Sequence, residues 1–144
     1  PGNHDRHSTM TLGLFLKATY EDSDDVNVHY YPSARWYYSY GNTLIGFTHG
    51  DGAKQNDLPY LMANEEMKDW GKCEFKVWFT GHLHSQMVRE LGGTMIVQLP
   101  SLSGHDRWHH RKGYTMAKAG LCAHLIDQDK GLIGSMFSPV RNDA

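Results

Sequence analysis

The chain has 144 residues, of which 40% are hydrophobic and 21% are charged, and its formal net charge is −2. This length suits one domain with its own core, and residues 1–144 are interpreted as a single domain. The composition excludes an intrinsically disordered chain, and the small net charge gives no extended basic surface for coating nucleic acid. Since no apolar run is long enough to span a membrane, no membrane partner is expected.

The first half of the chain predicts one helix followed by strands. Apolar side chains at 9–20 predict a short helix with Ser8 or Thr9 as its N-cap. Aromatic and β-branched side chains predict three strands, at 26–31, 34–40 and 43–49. The Gly-Asn pair at 41–42 is a turn signal between the last two of them.

The second half predicts one more helix and several strands. Residues 57–70 form an amphipathic helical pattern, with Asp57 as N-cap, Pro59 in the first turn and Gly71 as a stop. The predicted strands are 75–80, 86–91, 94–99, 114–127 and 132–138, with a loop at 100–113. The pattern as a whole predicts a strand-rich, layered α/β or α+β domain with antiparallel pairs and two or three helices.

Histidine and cysteine usage bears on the chemistry and the setting. Ten histidines are present, and histidine is the commonest metal ligand, so the number is a mild pointer to metal or acid–base chemistry. Cys73 and Cys122 form no CxxC pair, which argues against a disulfide framework or a thiolate zinc site. With no signal-like segment at the N-terminus, the setting predicted is reducing and cytoplasmic.

Three short motifs combine a glycine with metal-ligand side chains. Gly81-His82-Leu83-His84 directly follows the strand at 75–80, and in an extended loop its two imidazoles would face one site. The strand at 43–49 ends in His49, which Gly50 follows. Gly2-Asn3-His4-Asp5 is the third motif. Each motif alone is more often a turn with a stray histidine, but their joint occurrence at strand ends is typical of a functional site.

Together these motifs resemble the later signature motifs of the calcineurin-like metallophosphoesterases. The family's set runs D-x-H, G-D-x-x-D, G-N-H-[DE], a lone H and G-H-x-H, and residues 1 to about 85 carry the last three. The first two motifs, which supply two ligands of the first metal and the bridging aspartate, do not occur ahead of Gly2. The resemblance implies a partial layered metallophosphoesterase sandwich, with the chain as the C-terminal portion of such a domain.

The resemblance also implies a role for each matching residue. The implied metal ligands are Asn3, His49 and His82 for the second metal and His84 for the first. His4 would contact the phosphate and protonate the leaving group, and Asp5 would orient His4. Two divalent ions (Mn, Fe or Zn) would clamp the phosphoryl oxygens in the intact enzyme.

The expected activity is metal-dependent hydrolysis of phosphoester bonds, in nucleotides or small molecules, by the intact protein. Because the ligand set is incomplete, we expect the chain alone to bind metal weakly and not to turn over. Two alternatives stay open: a DNA-repair type exonuclease of the same superfamily, and a non-catalytic metal-binding or interaction module. A sheet edge left uncovered by truncation would favour a homo-oligomer.

The loop at 101–114 combines histidines, basic side chains and a tryptophan. Arg107, Trp108 and His109 are candidate substrate-binding residues, since a ring can stack on a base or sugar and a cation can meet phosphate. The alternative is a solvated loop in which Trp108 serves only as a hydrophobic anchor.

Overall fold

In a computed structural model of the chain, residues 2–3, 5–30, 33–102 and 119–140 are described. Within these ranges the helices are α1 (Arg6–Thr19), α2 (Leu58–Glu65) and α3 (Met67–Lys72), with a 3-10 helix at Gln55–Asp57. The strands are β1 (Arg35–Tyr40), β2 (Thr43–Thr48), β3 (Phe75–Thr80), β4 (Met87–Leu91), β5 (Thr94–Gln98), β6 (Gly120–Asp127) and β7 (Gly131–Pro139). The predicted class, a layered α/β fold with antiparallel pairs and few helices, is confirmed.

The main sheet has five strands in the order β1-β2-β3-β5-β4. Its three central strands, β2, β3 and β5, are parallel, and the two outer strands run antiparallel to their neighbours. In this register Thr48 lies opposite Thr80, and Thr80 lies opposite Gln98. The carboxyl ends of the three central strands therefore meet at one edge of the sheet, which is where layered α/β proteins build their sites.

A helix layer covers one face of this sheet. Trp78 lies at its centre, fully buried, and packs in one cluster with Leu44, Ile96 and the α2 side chains Leu58 and Met62. The Trp78 indole donates a hydrogen bond of 3.1 Å to the Leu58 carbonyl, so its one polar atom is satisfied. The apolar alternation of the strands thus fixes which face the helices cover.

The β6–β7 hairpin covers the other face. Ile45, Val77, Phe79 and Val97 form a second buried cluster, against which Ile126 and Leu132 of the hairpin pack. The turns of the two layers also join, because the Asn42 N–H donates to the Gln128 carbonyl over 2.7 Å. Gly41 has a φ of +54°, and a Cβ there would overlap Gln128. These contacts anchor the hairpin at the end of the sheet opposite the carboxyl edge.

Two predictions in the first half of the chain are wrong. Helix α1 begins at Arg6, so Ser8 and Thr9 lie inside it and Asp5 stands in the N-cap position. The helix already includes residues 6 and 7, and the Thr9 N–H bonds to the Asp5 carbonyl at 2.8 Å. Residues 26–30 form no strand, because a strand needs a ladder partner. Tyr30 instead packs its ring against Gly13 of α1.

The helix predicted at 57–70 is divided into α2 and α3. The break falls at Glu66, whose φ of −122° and ψ of 48° are not helical. One turn beyond buried Met62 the helical spacing reaches Glu65 and Glu66, which are polar, so the apolar stripe ends there. Gly71, predicted as the stop, lies inside α3.

The remaining strand predictions are confirmed within a residue or two. The strand predicted at 114–127 is seen from Gly120, and residues 114–118 lie outside the described ranges. Gly92 and Gly93, with φ of +54° and +72°, form the tight turn between β4 and β5. No helix in the described ranges has the length and apolar character needed to cross a membrane.

Candidate metal centre

Two of the motif loops meet at the carboxyl edge of the sheet. His49 follows β2, and His82 follows β3 by two residues. The Gly81 N–H donates to the His49 carbonyl over 3.0 Å, so the parallel ladder extends beyond the last strand residues. The two imidazole rings lie edge to face, with 5.2 Å between their centroids and 67° between their planes. Strand pairing therefore fixes the spacing of the two histidines.

The third motif reaches the same point from the segment before α1. The side-chain oxygen Oδ1 of Asn3 lies 2.9 Å from Nε2 of His49. With Nε2 protonated, this contact is a hydrogen bond from the imidazole to the amide oxygen. Two ligand atoms bonded to one ion at about 2.0–2.1 Å lie about 2.9–3.4 Å apart, with right angles at the short end and tetrahedral angles at the long end. The same arrangement therefore suits metal binding once the proton moves to Nδ1.

Two glycines allow these segments to approach each other. A Cβ at Gly2 would lie 3.0 Å from Asp5 Oδ1 and 3.1 Å from His49 Cε1, closer than side chains normally pack. Gly50 has a φ of +98°, and a Cβ there would lie 3.3 Å from the Gly81 carbonyl oxygen. Larger residues at either position would push the loops apart.

The electrostatic setting favours a neutral His49. Burial is the main cause that lowers its pKa below the usual histidine value, and the adjacent His82 adds to that effect. The carboxylates of Asp51 and Asp5 act in the opposite direction. Because only the unprotonated imidazole nitrogen binds a metal, a lowered pKa makes His49 available at neutral pH.

The sequence predicts an extended backbone for the Gly81-His82-Leu83-His84 motif, and this prediction is wrong. His82 and His84 have φ of +66° and +53°, the left-handed region that side-chain-bearing residues rarely adopt. The Leu83 N–H donates to the Gly81 carbonyl over 2.8 Å, which closes a tight turn. Such backbone persists only where the surroundings hold it, and it is concentrated at functional sites.

The predicted site residues divide into three groups. Asn3, His49 and His82 lie together, while Asp5 lies close enough for its charge to act on His49. His84 is half-buried in the tight turn. His4 and the candidate substrate-binding residues Arg107, Trp108 and His109 lie outside the described residues.

The grouped side chains carry donor atoms of the kind that divalent ions bind. Two imidazoles and an amide oxygen are a mixed N/O donor set, which Mn, Fe and Zn accept. Among the residues that the structure describes, no three or more His, Cys, Asp or Glu side chains are arranged to hold a metal. The described donors would therefore supply only part of the shell of one ion, and among the described residues they do not make a two-metal centre.

One residue that supports these loops was missed at the sequence level. Gln98, at the carboxyl end of β5, is only 2% exposed. Its amide contacts Ser85 and Gln55, which belong to the loops after β3 and β2. The available signal was a polar residue closing an otherwise apolar strand.

Comparisons with known proteins give distant structural similarity. No protein-family model matches the chain, and no curated protein matches it. Wild-type Vps29 complexed with Zn²⁺, from Entamoeba histolytica, is 16% identical with a TM-score of 0.48, over 74% of this chain and 59% of that one. A Vps29 double mutant from the same organism is 15% identical with a TM-score of 0.46, over 80% and 65% of the two chains.

A third solved structure comes from Streptococcus pneumoniae and is described as a conserved uncharacterized protein and predicted phosphoesterase. It is 17% identical with a TM-score of 0.41, and the match covers 80% of this chain and 68% of that one. The chain thus spans less than two thirds of the length of either Vps29 structure. At such identities and scores, the similarity concerns the chain trace and says nothing about activity.

Proposed function

We propose that this chain contributes metal ligands to a metal-dependent phosphoesterase, which hydrolyses phosphoester bonds in nucleotides or small molecules. The observation that supports it is the convergence of three separate motifs on one point. Asn3 and His49 are 46 positions apart in the sequence, yet their side chains touch, and the ring of His82 lies beside them. The motifs are those expected for a calcineurin-like phosphoesterase.

The chain's own residues have distinct tasks in this proposal. His49 and His82 present imidazole nitrogens, and the Asn3 amide oxygen is the third donor. A bound divalent ion would supply positive charge to the phosphoryl group, where negative charge develops during hydrolysis. His4, next to Asn3 in sequence, would give a proton to the leaving oxygen, and Asp5 would orient His4.

The same proposal limits what the chain does alone. Three donors bind one ion loosely, whereas the family pattern uses two metal ions for in-line phosphoester hydrolysis. We therefore expect ion binding without turnover. The exonuclease alternative relies on the basic loop at 107–112, which lies outside the described residues, so no described contact favours it.

The experiment is a titration of the purified chain with Zn²⁺ and with Mn²⁺ by calorimetry, alongside an assay with bis-p-nitrophenyl phosphate. We expect one weakly bound ion per chain, its loss in His82→Ala, and its retention in His29→Ala, an exposed histidine that is not among the grouped ligands. Binding that survives His82→Ala would refute the ligand assignment. Hydrolysis that His82→Ala abolishes would refute the expectation of inactivity and favour an enzyme complete in this chain.

A further inference from the structure

The carboxyl edge of the sheet contains a buried amide that the ligand assignment does not use. Gln98 ends β5 and has 2% of its surface exposed. Its Nε2 donates to the Ser85 carbonyl over 2.8 Å and to the Ser85 hydroxyl over 2.7 Å. Its Oε1 accepts a hydrogen bond of 2.6 Å from Nε2 of Gln55. Both ends of the amide are therefore satisfied by side chains or backbone outside its own strand.

The two partners of Gln98 belong to the two loops that carry the histidines. Ser85 follows His84 directly, so its position fixes where the tight turn of the histidine motif ends. Gln55 begins the 3-10 helix that closes the loop after His49. The Gln98 side chain, at the end of β5, thus connects the loop after β2 to the loop after β3 through hydrogen bonds.

Gln98 occupies a buried position on the sheet face where an apolar side chain would normally stand. Ile96, two residues earlier on the same face of β5, belongs to the buried cluster around Trp78. Burying an amide is unfavourable unless its hydrogen bonds are made, so an apolar side chain would be the simpler choice for packing alone. The amide here makes three bonds, all of them to the two ligand loops.

We propose that Gln98 is a positioning residue, which sets the spacing between the loops of His49 and His82 and thereby the affinity of the metal centre. This inference rests on the proposed function, since it concerns the same ligands. Residues that orient metal ligands through hydrogen bonds change metal affinity by about 10–100-fold when they are removed. Gln98 acts at one further step, through the loop backbone, so an effect near the lower end is expected.

The test compares Gln98→Met with Thr94→Val. Methionine keeps the length and removes the hydrogen bonds, whereas Thr94 lies at the other end of β5, fully buried with its hydroxyl unpartnered. Each variant is titrated with Zn²⁺ by calorimetry and with Co²⁺ by visible absorption, which reports coordination geometry. We expect Gln98→Met to weaken binding about 10-fold and to change the Co²⁺ spectrum. Thr94→Val should match the wild type in both.

The outcomes separate the two claims. If the wild type binds no ion, the proposed function fails and this inference fails with it. If the wild type binds and Gln98→Met binds equally with the same spectrum, only the positioning role is refuted. Should Gln98→Met not fold, Ser85→Ala removes one of the three bonds at an exposed residue. It is expected to weaken binding by a smaller factor, and unchanged binding would likewise refute the positioning role.

Discussion

Replacing Gly50 by alanine tests whether the two ligand loops depend on their close approach. Gly50 has a φ of +98°, and a Cβ there would lie 3.3 Å from the Gly81 carbonyl oxygen and 3.6 Å from the His82 Cβ. Holding a residue with a Cβ in such sparsely populated backbone costs about 1–3 kcal/mol. The substitution therefore acts on both histidine loops at once, without removing a ligand.

The strain can act in two ways, either on the stability of the fold or on the geometry of the site, and the assays distinguish them. If the backbone stays in place, the free energy of unfolding in urea falls by about 1–3 kcal/mol. If the loop moves instead, the same energy opposes reassembly of the ligands, and since 1.4 kcal/mol is tenfold, Zn²⁺ affinity falls by about 5–150-fold. Urea denaturation and calorimetric titration of Gly50→Ala measure the two effects.

Gly52→Ala is the matched control, two residues further along the same loop. A Cβ at Gly52 meets nothing within 4 Å, and its φ is not in the left-handed region. Alanine there is expected to be neutral or to stabilise the fold by about 0.4–1 kcal/mol, with metal affinity unchanged. If Gly50→Ala behaves like Gly52→Ala in both assays, the reasoning about loop approach is refuted.

Three further predictions concern the fold. Gly46→Ala places a Cβ 2.6 Å from the Trp78 ring, so overpacking should lower the free energy of unfolding by about 1–3 kcal/mol. In the control Gly71→Ala the added Cβ meets nothing within 4 Å, and the free energy of unfolding should not fall. Equal urea midpoints for the two variants would contradict this prediction. Burial lowers the pKa of His124, which packs on Phe79 with Nε2 unpartnered. The unfolded state then binds more protons, so stability is complete above the usual histidine pKa and is lost as pH falls below it. Between pH 7.5 and 5, His124→Leu should therefore lose less stability than the wild type in urea denaturation, and an equal loss would count against this role. Strand β7 carries no charged side chain that would prevent edge pairing, so we expect the hairpin edges of two copies to pair. Light scattering should then show a homo-oligomer, and a monomer at all concentrations would refute that pairing.

The sequence predicts the sheet better than the helices. Apolar runs such as 43–48 and 75–80 have no competing interpretation, and each forms a strand at nearly the expected residues. The helix predicted at 57–70 breaks at Glu66, where two glutamates interrupt the apolar stripe. Residues 26–30 have strand-forming side chains but no neighbouring strand, and that depends on tertiary structure.

The candidate site shows the same division. Sequence motifs predict which residue types gather at the strand ends, and Asn3, His49 and His82 do lie together. They do not predict the left-handed backbone of His82, since local strain depends on the loops around it. Gln98 was missed because its role depends on partners distant in sequence.

The most direct test of the central claim is the ring-nitrogen NMR spectrum of the histidines during Zn²⁺ titration. We predict that the signals of His49 and His82 change together and saturate at one ion per chain, since their rings are adjacent. The signals of His29 and His124, whose described contacts are with residues other than the proposed ligands, should stay unchanged. Unchanged His49 and His82 signals, or equal changes at all four histidines, would contradict a shared metal centre.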